Sequence, residues 1–284
     1  MTSIPELDAF TAGVLGLLIG SFLNVVIHRL PKMLEQQWAA ECATLNNPNA
    51  DSPAASPATY NLITPRSACP HCGHRIAWYQ NLPLISYLAL RGKCAACGAG
   101  IGIRYPTVEL TTALLFAWCG WTWGITPSGA MWAGFSAAVV ALAAIDWDTT
   151  LLPDDLTLPL VWAGMCGAAL NWTGTTLPNA LWGAVAGYLS LWLVYWAFKL
   201  ATGKEGMGYG DFKLFAAFGA WFGWQALIPI ILMASVFGAV IGIVMKFTSG
   251  LREGGYVPFG PFLAFGGLTA MTLSPARMLE LMGL

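Results

Sequence analysis

The chain has 284 residues, of which 57% are hydrophobic and only 10% charged, with a formal net charge of −1. A soluble domain carries roughly 25% charged residues, so this composition excludes one and indicates an integral membrane protein. No nucleic-acid partner is expected of a chain with no basic excess to set against a phosphate backbone.

Apolar stretches of about 17 to 25 residues, the length that crosses a bilayer as helix, predict spans near 9–28, 107–125, 129–147, 156–173, 177–198, 212–224, 225–246 and 258–276. The expected fold is an α-helical polytopic membrane protein with about eight transmembrane helices. The 212–224 stretch is short, and only a break around Gly223-Trp224-Gln225 separates it from its successor; merging the two leaves seven. Charge placement favours eight. With the N-terminus outside, segments 29–106, 148–155, 199–211 and 247–257 become cytoplasmic. Together with Lys213 and Lys246 at span ends they hold every basic residue except Arg277, as the positive-inside rule requires. Both termini are then periplasmic. The first apolar run continues into Asn24, His28, Arg29 and Pro31 without a small-residue cleavage site, so it reads as a retained span.

Three regions follow: a first transmembrane helix (1–28), a cytoplasmic loop (29–106) and a membrane-embedded bundle (107–284). Residues 39–61 of the loop are Ala, Asn, Pro and Ser with little to bury, and read as a flexible insertion in which Cys42 is incidental. Beyond it stand Cys69-Pro-His-Cys72 and Cys94-Ala-Ala-Cys97, each followed by a glycine, Gly73 and Gly98. Two such turns let four sulfurs converge tetrahedrally on Zn2+, and a reducing cytosolic setting keeps them available. A redox dithiol would want a βαβ context, and disulfides are the other alternative. His71 and His74 flank the first turn, but four cysteines already close the shell. A closed shell leaves no place for water, so the metal is expected to be structural.

Glu109 opens the second span and is expected to pair with Arg104 or Lys213, with recognition of a basic substrate as the minority reading. Two further acids sit where acids are costly. Asp146 closes the apolar run that begins at Val139, and Asp211 ends Gly206-Met207-Gly208-Tyr209-Gly210 ahead of another apolar run. A carboxylate at a bilayer boundary is by default functional, with a partner to be found, and the natural partner of each is the other. Asp148 is two residues on from Asp146 and points to another side of a helix. Asp154 and Asp155 are expected to cap the next helix. Gly208 and Gly210 keep side chains away from Asp211 and admit another backbone; a phosphate loop would not end in an acid.

Two facing aspartates cannot both ionise. One can take a proton from water while the other, protonated, polarises a scissile carbonyl. That is aspartic proteolysis, whereas no histidine lies near a candidate nucleophile in the apolar half. A proton-coupled transporter would also place carboxylates in spans, but nearer the midplane and in repeated halves. A zinc-anchored scaffold is the remaining rival.

Residues Gly20 to Pro31 (GSFLNVVIHRLP), the four-cysteine loop, Arg104 to Glu109 (RYPTVE), Asp146-Trp147-Asp148 with Leu152-Pro153-Asp154, and Gly208-Tyr209-Gly210-Asp211 resemble, in order, the type IV prepilin peptidases. The resemblance runs from about residue 13 to 264. It implies a bacterial inner-membrane enzyme, in contact with membrane lipid, that removes the basic leader of prepilins or type II secretion pseudopilins. It implies Asp146 and Asp211 as the catalytic pair, with Asp148, Gly208 and Gly210 accessory. It also implies N-methylation of the new N-terminal residue with S-adenosylmethionine as donor, for which no fingerprint is present in the residues themselves. Gly92 and Lys93 are expected to border the donor, with a turn into the second cysteine pair as the simpler reading. The insertion at 39–61 departs from the family pattern but removes no motif residue.

Overall fold

The computed structural model describes residues 4–46, 60–248 and 257–283. Among them the chain is helical apart from short turns and two isolated β-bridges. It forms two compact units, Met1–Gly124 and Ile125–Leu284.

The first unit is built on α1 (Pro5–Asn46), α2 (Ile85–Ala89) and α3 (Arg104–Trp123). Helix α1 runs unbroken through Pro31 and past residue 28, the expected end of the first span. Residues 39–46 of the expected flexible insertion are therefore helical, consistent with the helix-forming Ala39, Ala40 and Ala43. Residues 47–59 of that expectation lie outside the described residues. In lipid, helices gain nothing from burying apolar surface against each other, so close van der Waals packing must hold them. Gly16 and Gly20 supply it: a Cβ would come 2.8 Å from the Ala113 Cα at Gly16 and 2.7 Å from the Glu109 Cα at Gly20. Helix α3 accordingly belongs with α1, whereas the sequence boundary at 107 places it with the bundle.

The second unit contains α4 (Pro127–Thr149), α5 (Asp154–Ala169), α6 (Leu177–Thr202), α7 (Tyr209–Phe222), α8 (Leu227–Phe247), α9 (Gly260–Leu273) and α10 (Pro275–Leu281). Thr126 caps α4 by accepting the Gly129 N–H at 3.1 Å, with Pro127 at the first helical position. Thr150, left-handed at φ 55°, ends the same helix. Helix α7 is the centre of the unit. Its 14 residues span about 21 Å, short of a hydrocarbon core of about 30 Å. Yet Phe212 and every residue from Leu214 to Trp221 are buried, so protein rather than lipid surrounds it. Trp132 and Phe135 of α4 pack on Trp221 at ring distances of 5.0 and 4.6 Å, and the Trp221 indole donates to the Leu160 carbonyl at 2.8 Å.

Among the described residues four helices are long and apolar enough to cross a membrane: Pro5–Leu45, Pro127–Thr149, Leu177–Thr202 and Trp224–Phe247. The other four expected spans fall on α3, α5, α7 and α9, which are shorter or less apolar. The expected break is present: α7 stops at Gly223 (φ 85°), and a 3-10 turn, Trp224–Ala226, leads into α8.

Helices α6 and α7 cross with their backbones in contact. A Cβ on Gly183 would run into the Gly219 carbonyl, and one on Gly187 would sit 2.7 Å from the Phe215 oxygen. Gly183→Leu should therefore cost about 3 kcal/mol, the upper range for overpacking. Thermal unfolding in detergent would show a lowered midpoint, while Gly134→Ala, at a helix-interior site where nothing lies within 4 Å, does not lower it. An unaltered midpoint in Gly183→Leu would refute the close crossing.

Candidate active site and cysteine cluster

Asp146 lies in the last turn of α4, and Asp211 is the third residue of α7. Both line one cavity of about 260 Å³, with Thr150, Leu152, Glu205, Met207, Gly208, Gly210 and the segment Val257 to Phe259. Both are largely out of solvent, at 5% and 7% exposure. The Gly260 N–H donates to Asp146 Oδ2 at 2.9 Å, and the Gly208 N–H to Asp211 Oδ2 at 3.3 Å. Asp211 Oδ1 is buried with no hydrogen-bond partner among the described residues. Asp211 itself borders the cavity.

Gly210 allows α7 to begin against the α4–α5 connection, since a Cβ there would come 2.5 Å from the Leu152 Cβ. Asp148 is exposed and does not line the cavity. Helix α4 continues to Thr149, so two residues turn it about 200° away from Asp146.

Two expectations about the other acids are corrected. Asp154 and Asp155 do not cap α5: the capping position is Pro153, in extended geometry, and the two acids occupy the first turn, where the helix dipole favours them. Asp154 instead pairs with Lys213 at 2.6 Å. With Lys213 so engaged, the buried Glu109 accepts the Leu84 N–H at 2.9 Å and a hydrogen bond from Ser21. A neutral hydrogen-bonded cage thus takes the place of the expected partner Lys213.

Glu205, Gly260 and the Val257–Phe259 wall escaped the sequence reading. Glu205 sits on the cavity and pairs with Lys199 at 2.8 Å, whose ammonium holds its carboxyl below the usual range. Pro258-Phe259-Gly260-Pro261 carries the signal for the wall, a proline-flanked helix start next to an apolar run, but nothing local ties it to residue 146.

In the first unit, Cys69, Cys72, Cys94 and Cys97 place their sulfurs within 4.8 Å of one another. The two turns are built alike. The Cys69 N–H donates to the His74 carbonyl and the Cys94 N–H to the Ala99 carbonyl; Gly73 and Gly98 take φ 71° and 72°. Only glycine adopts that region freely. Cys69 and Cys97 sulfurs stand 3.9 Å apart, near the roughly 3.8 Å edge of a tetrahedron with Zn–S bonds of about 2.3 Å and too far for a disulfide. Backbone N–H groups of Cys97 and Ala96 favour the Cys94 thiolate and bring it to about 6. At Cys72 the His74 backbone bond pulls the same way, but desolvation and the three neighbouring sulfurs outweigh it, pushing that thiol up to about 11. Four crowded sulfurs resist joint ionisation until a cation compensates them, so the donor set fits a thiophilic dication.

Gly92 (φ 66°) lies in the turn into the second pair: its N–H donates to the Tyr87 carbonyl, and its own carbonyl accepts from the Ile101 N–H. Lys93 bridges to Gly100. Both backbone groups of Gly92 are used within the loop, as the simpler reading expects.

The chain matches two family descriptions, "Bacterial Peptidase A24 N-terminal domain" over residues 14–123 and "Type IV leader peptidase family" over residues 133–243. A Pseudomonas aeruginosa protein named prepilin leader peptidase/N-methyltransferase is 52% identical over 260 residues, covering 91% of this chain and 88% of the relative. Proteins of the same name from Burkholderia pseudomallei and Aeromonas hydrophila are 51% and 50% identical, covering 91% and 94% of this chain and 83% and 91% of their own lengths. No solved structure matches the chain. Neither these relatives nor the placement of the acids supports the transporter alternative.

Proposed function

Since the chain belongs to the type IV leader peptidase family, we propose that it removes the leader of prepilins or type II secretion pseudopilins and N-methylates the residue so exposed. The observation that carries the cleavage half is the meeting of Asp146 and Asp211 on one cavity. In the proposed reaction the ionised member of the pair takes a proton from water as the oxygen attacks the scissile carbonyl carbon. The protonated member gives its proton to the carbonyl oxygen; as the tetrahedral diol collapses, the aspartate that took the water proton hands it to the nitrogen, the C–N bond breaks to release the amine, and the other aspartate recovers its proton from the diol hydroxyl, leaving a carboxylic acid. The burial of both acids beside that cavity supports this reading, because two carboxylates held out of water cannot both stay ionised.

Cys69, Cys72, Cys94 and Cys97 are proposed to hold structural Zn2+, which would clip the loop of the first unit. S-adenosylmethionine, when bound, supplies a methyl group on a sulfonium. Gly92 and Lys93 are proposed to border that site; with its backbone spent in the turn and the Tyr87 ring 3.0 Å from where its Cβ would stand, Gly92 would serve by shaping the turn rather than by donating. The proposed setting is the bacterial inner membrane, with about eight spans, the cysteine loop in the cytoplasm and both termini in the periplasm. The bundle as a whole is read as the peptidase and the cysteine loop as its cytosolic attachment.

Asp146→Asn and Asp211→Asn should each abolish cleavage, with the double change no worse than either, because the pair acts as a unit. Asp148→Asn should retain activity. Near-normal processing of a prepilin by Asp146→Asn alongside a dead Asp148→Asn would reverse the assignment.

Cys72→Ser or Cys97→Ser should lower bound zinc from one per chain, with activity lost in step with misfolding of the loop. Stoichiometric zinc in a protein lacking all four cysteines, measured by elemental analysis, would sink the metal site.

Cleavage and methylation should also separate. Folded Asp211→Ala should still methylate pre-cleaved substrate, and Gly92→Leu should reduce methylation before cleavage. Mass spectrometry of the product N-terminus reads both. Loss of methylation on pre-cleaved substrate in folded Asp211→Ala would mean a single shared site.

A further inference from the structure

We infer that Gly260, a residue outside the aspartate motifs, is a positioning residue for Asp146, and that the start of α9 is part of the peptidase site. The inference rests on the reading of Asp146 and Asp211 as the catalytic pair.

Three observations converge on it. The Gly260 N–H donates to Asp146 Oδ2 at 2.9 Å across 114 positions of sequence, and the bond is buried. Gly260 is the first residue of α9 and Pro261 the second. Pro261 has no N–H, and the next amides, of Phe262 and Leu263, already donate to the Phe259 carbonyl. The amide aimed at Asp146 is thus the one the helix start leaves uncommitted. Lastly, a Cβ on Gly260 would come 2.6 Å from Asp146 Oδ2, 3.0 Å from its Cγ and 3.3 Å from its Cβ. The neighbour that would have to move is the whole carboxylate.

The arrangement mirrors that of Asp211, which takes the Gly208 N–H on its own Oδ2 at 3.3 Å. Each acid is held by a glycine amide on one oxygen. Gly208 belongs to the same short motif as its aspartate, whereas Gly260 reaches Asp146 from another helix, so the two acids can be disturbed independently. A methyl group at 260 would push the Asp146 carboxylate aside while leaving both acids, and the rest of the cavity wall, in the chain. Misplacement of a reacting group by about 1 Å costs on the order of a hundredfold in rate.

The test uses the full-length protein in detergent or nanodiscs, with a synthetic pilin-precursor peptide as substrate and Gly134→Ala as the control. Gly260→Ala should lower kcat about a hundredfold with KM within about threefold, because the substrate's own contacts persist. Should the added methyl unfold the protein, a second variant decides. Replacing residue 260 by glycolic acid turns its N–H into an ester oxygen without adding bulk, and should lower kcat about tenfold, the scale of one lost hydrogen bond. A folded Gly260→Ala enzyme with kcat within threefold of the parent, or an ester variant with full kcat, overturns the positioning role while Asp146→Asn is dead. An active Asp146→Asn overturns the catalytic reading itself.

Discussion

A carboxylate in the last turn of a helix faces the negative end of the peptide dipole and the carbonyls that no longer find an N–H. Asp146 is in that position on α4, and it is also almost fully buried. Such a group persists only if something else in the fold offers it positive character. The N-terminal end of α9 does so, with the Gly260 amide on Oδ2. Asp211 meets the opposite condition: as the third residue of α7 it lies at the positive end of its own helix and reaches back to Gly208. One acid is supported by its own helix and the other by a neighbour. The site therefore depends on how α4, α7 and α9 are held together, not on the aspartate motifs alone.

What holds them is a short helix that lipid does not touch. Helix α7 is short for a bilayer-spanning helix, and every residue from Leu214 to Trp221 is buried among protein neighbours. The same burial sets Asp211, at its start, among protein atoms rather than lipid. Close approach by α6 requires Gly183 and Gly187, because neither position has room for a side chain. In water a loose crossing could be offset by apolar burial, whereas in lipid it could not. Glycines far from the aspartates thereby set how closely α7 packs on α6.

These contrasts explain what the sequence revealed. Apolar length located a helix for every expected span, and the Gly223 break separated α7 from α8 as expected. Hydropathy carries no information on whether a stretch faces lipid or protein, which is why the central place of α7 was not legible. The helical continuation of α1 past residue 28 was obscured because polarity marks a bilayer boundary, while helix formation ignores it. Local geometry was legible: the two matching cysteine turns and the outward turn of Asp148 follow from spacing within a few residues. Contacts between distant segments were not. Glu109 finds the Leu84 amide, Asp154 finds Lys213, and Asp146 finds Gly260. In each case the partner is decided by helix packing, and two of the three donors are backbone amides, to which side-chain pattern is blind.

The two units also differ in what their chemistry demands. Four thiolates around a dication form a closed shell, which gains nothing from water and can sit on small turns made by Cys-x-x-Cys and a left-handed glycine. A pair of carboxylates needs a cavity that admits a peptide and one water yet keeps both acids close, and no short turn can build that. It takes three helices whose ends meet: the last turn of α4, the start of α7 and the start of α9. A fold that closed the cavity between Asp146 and Asp211 would bury more surface and be more stable, but it would fill the place proposed for the substrate, so the opening and the proposed reactivity come from the same packing.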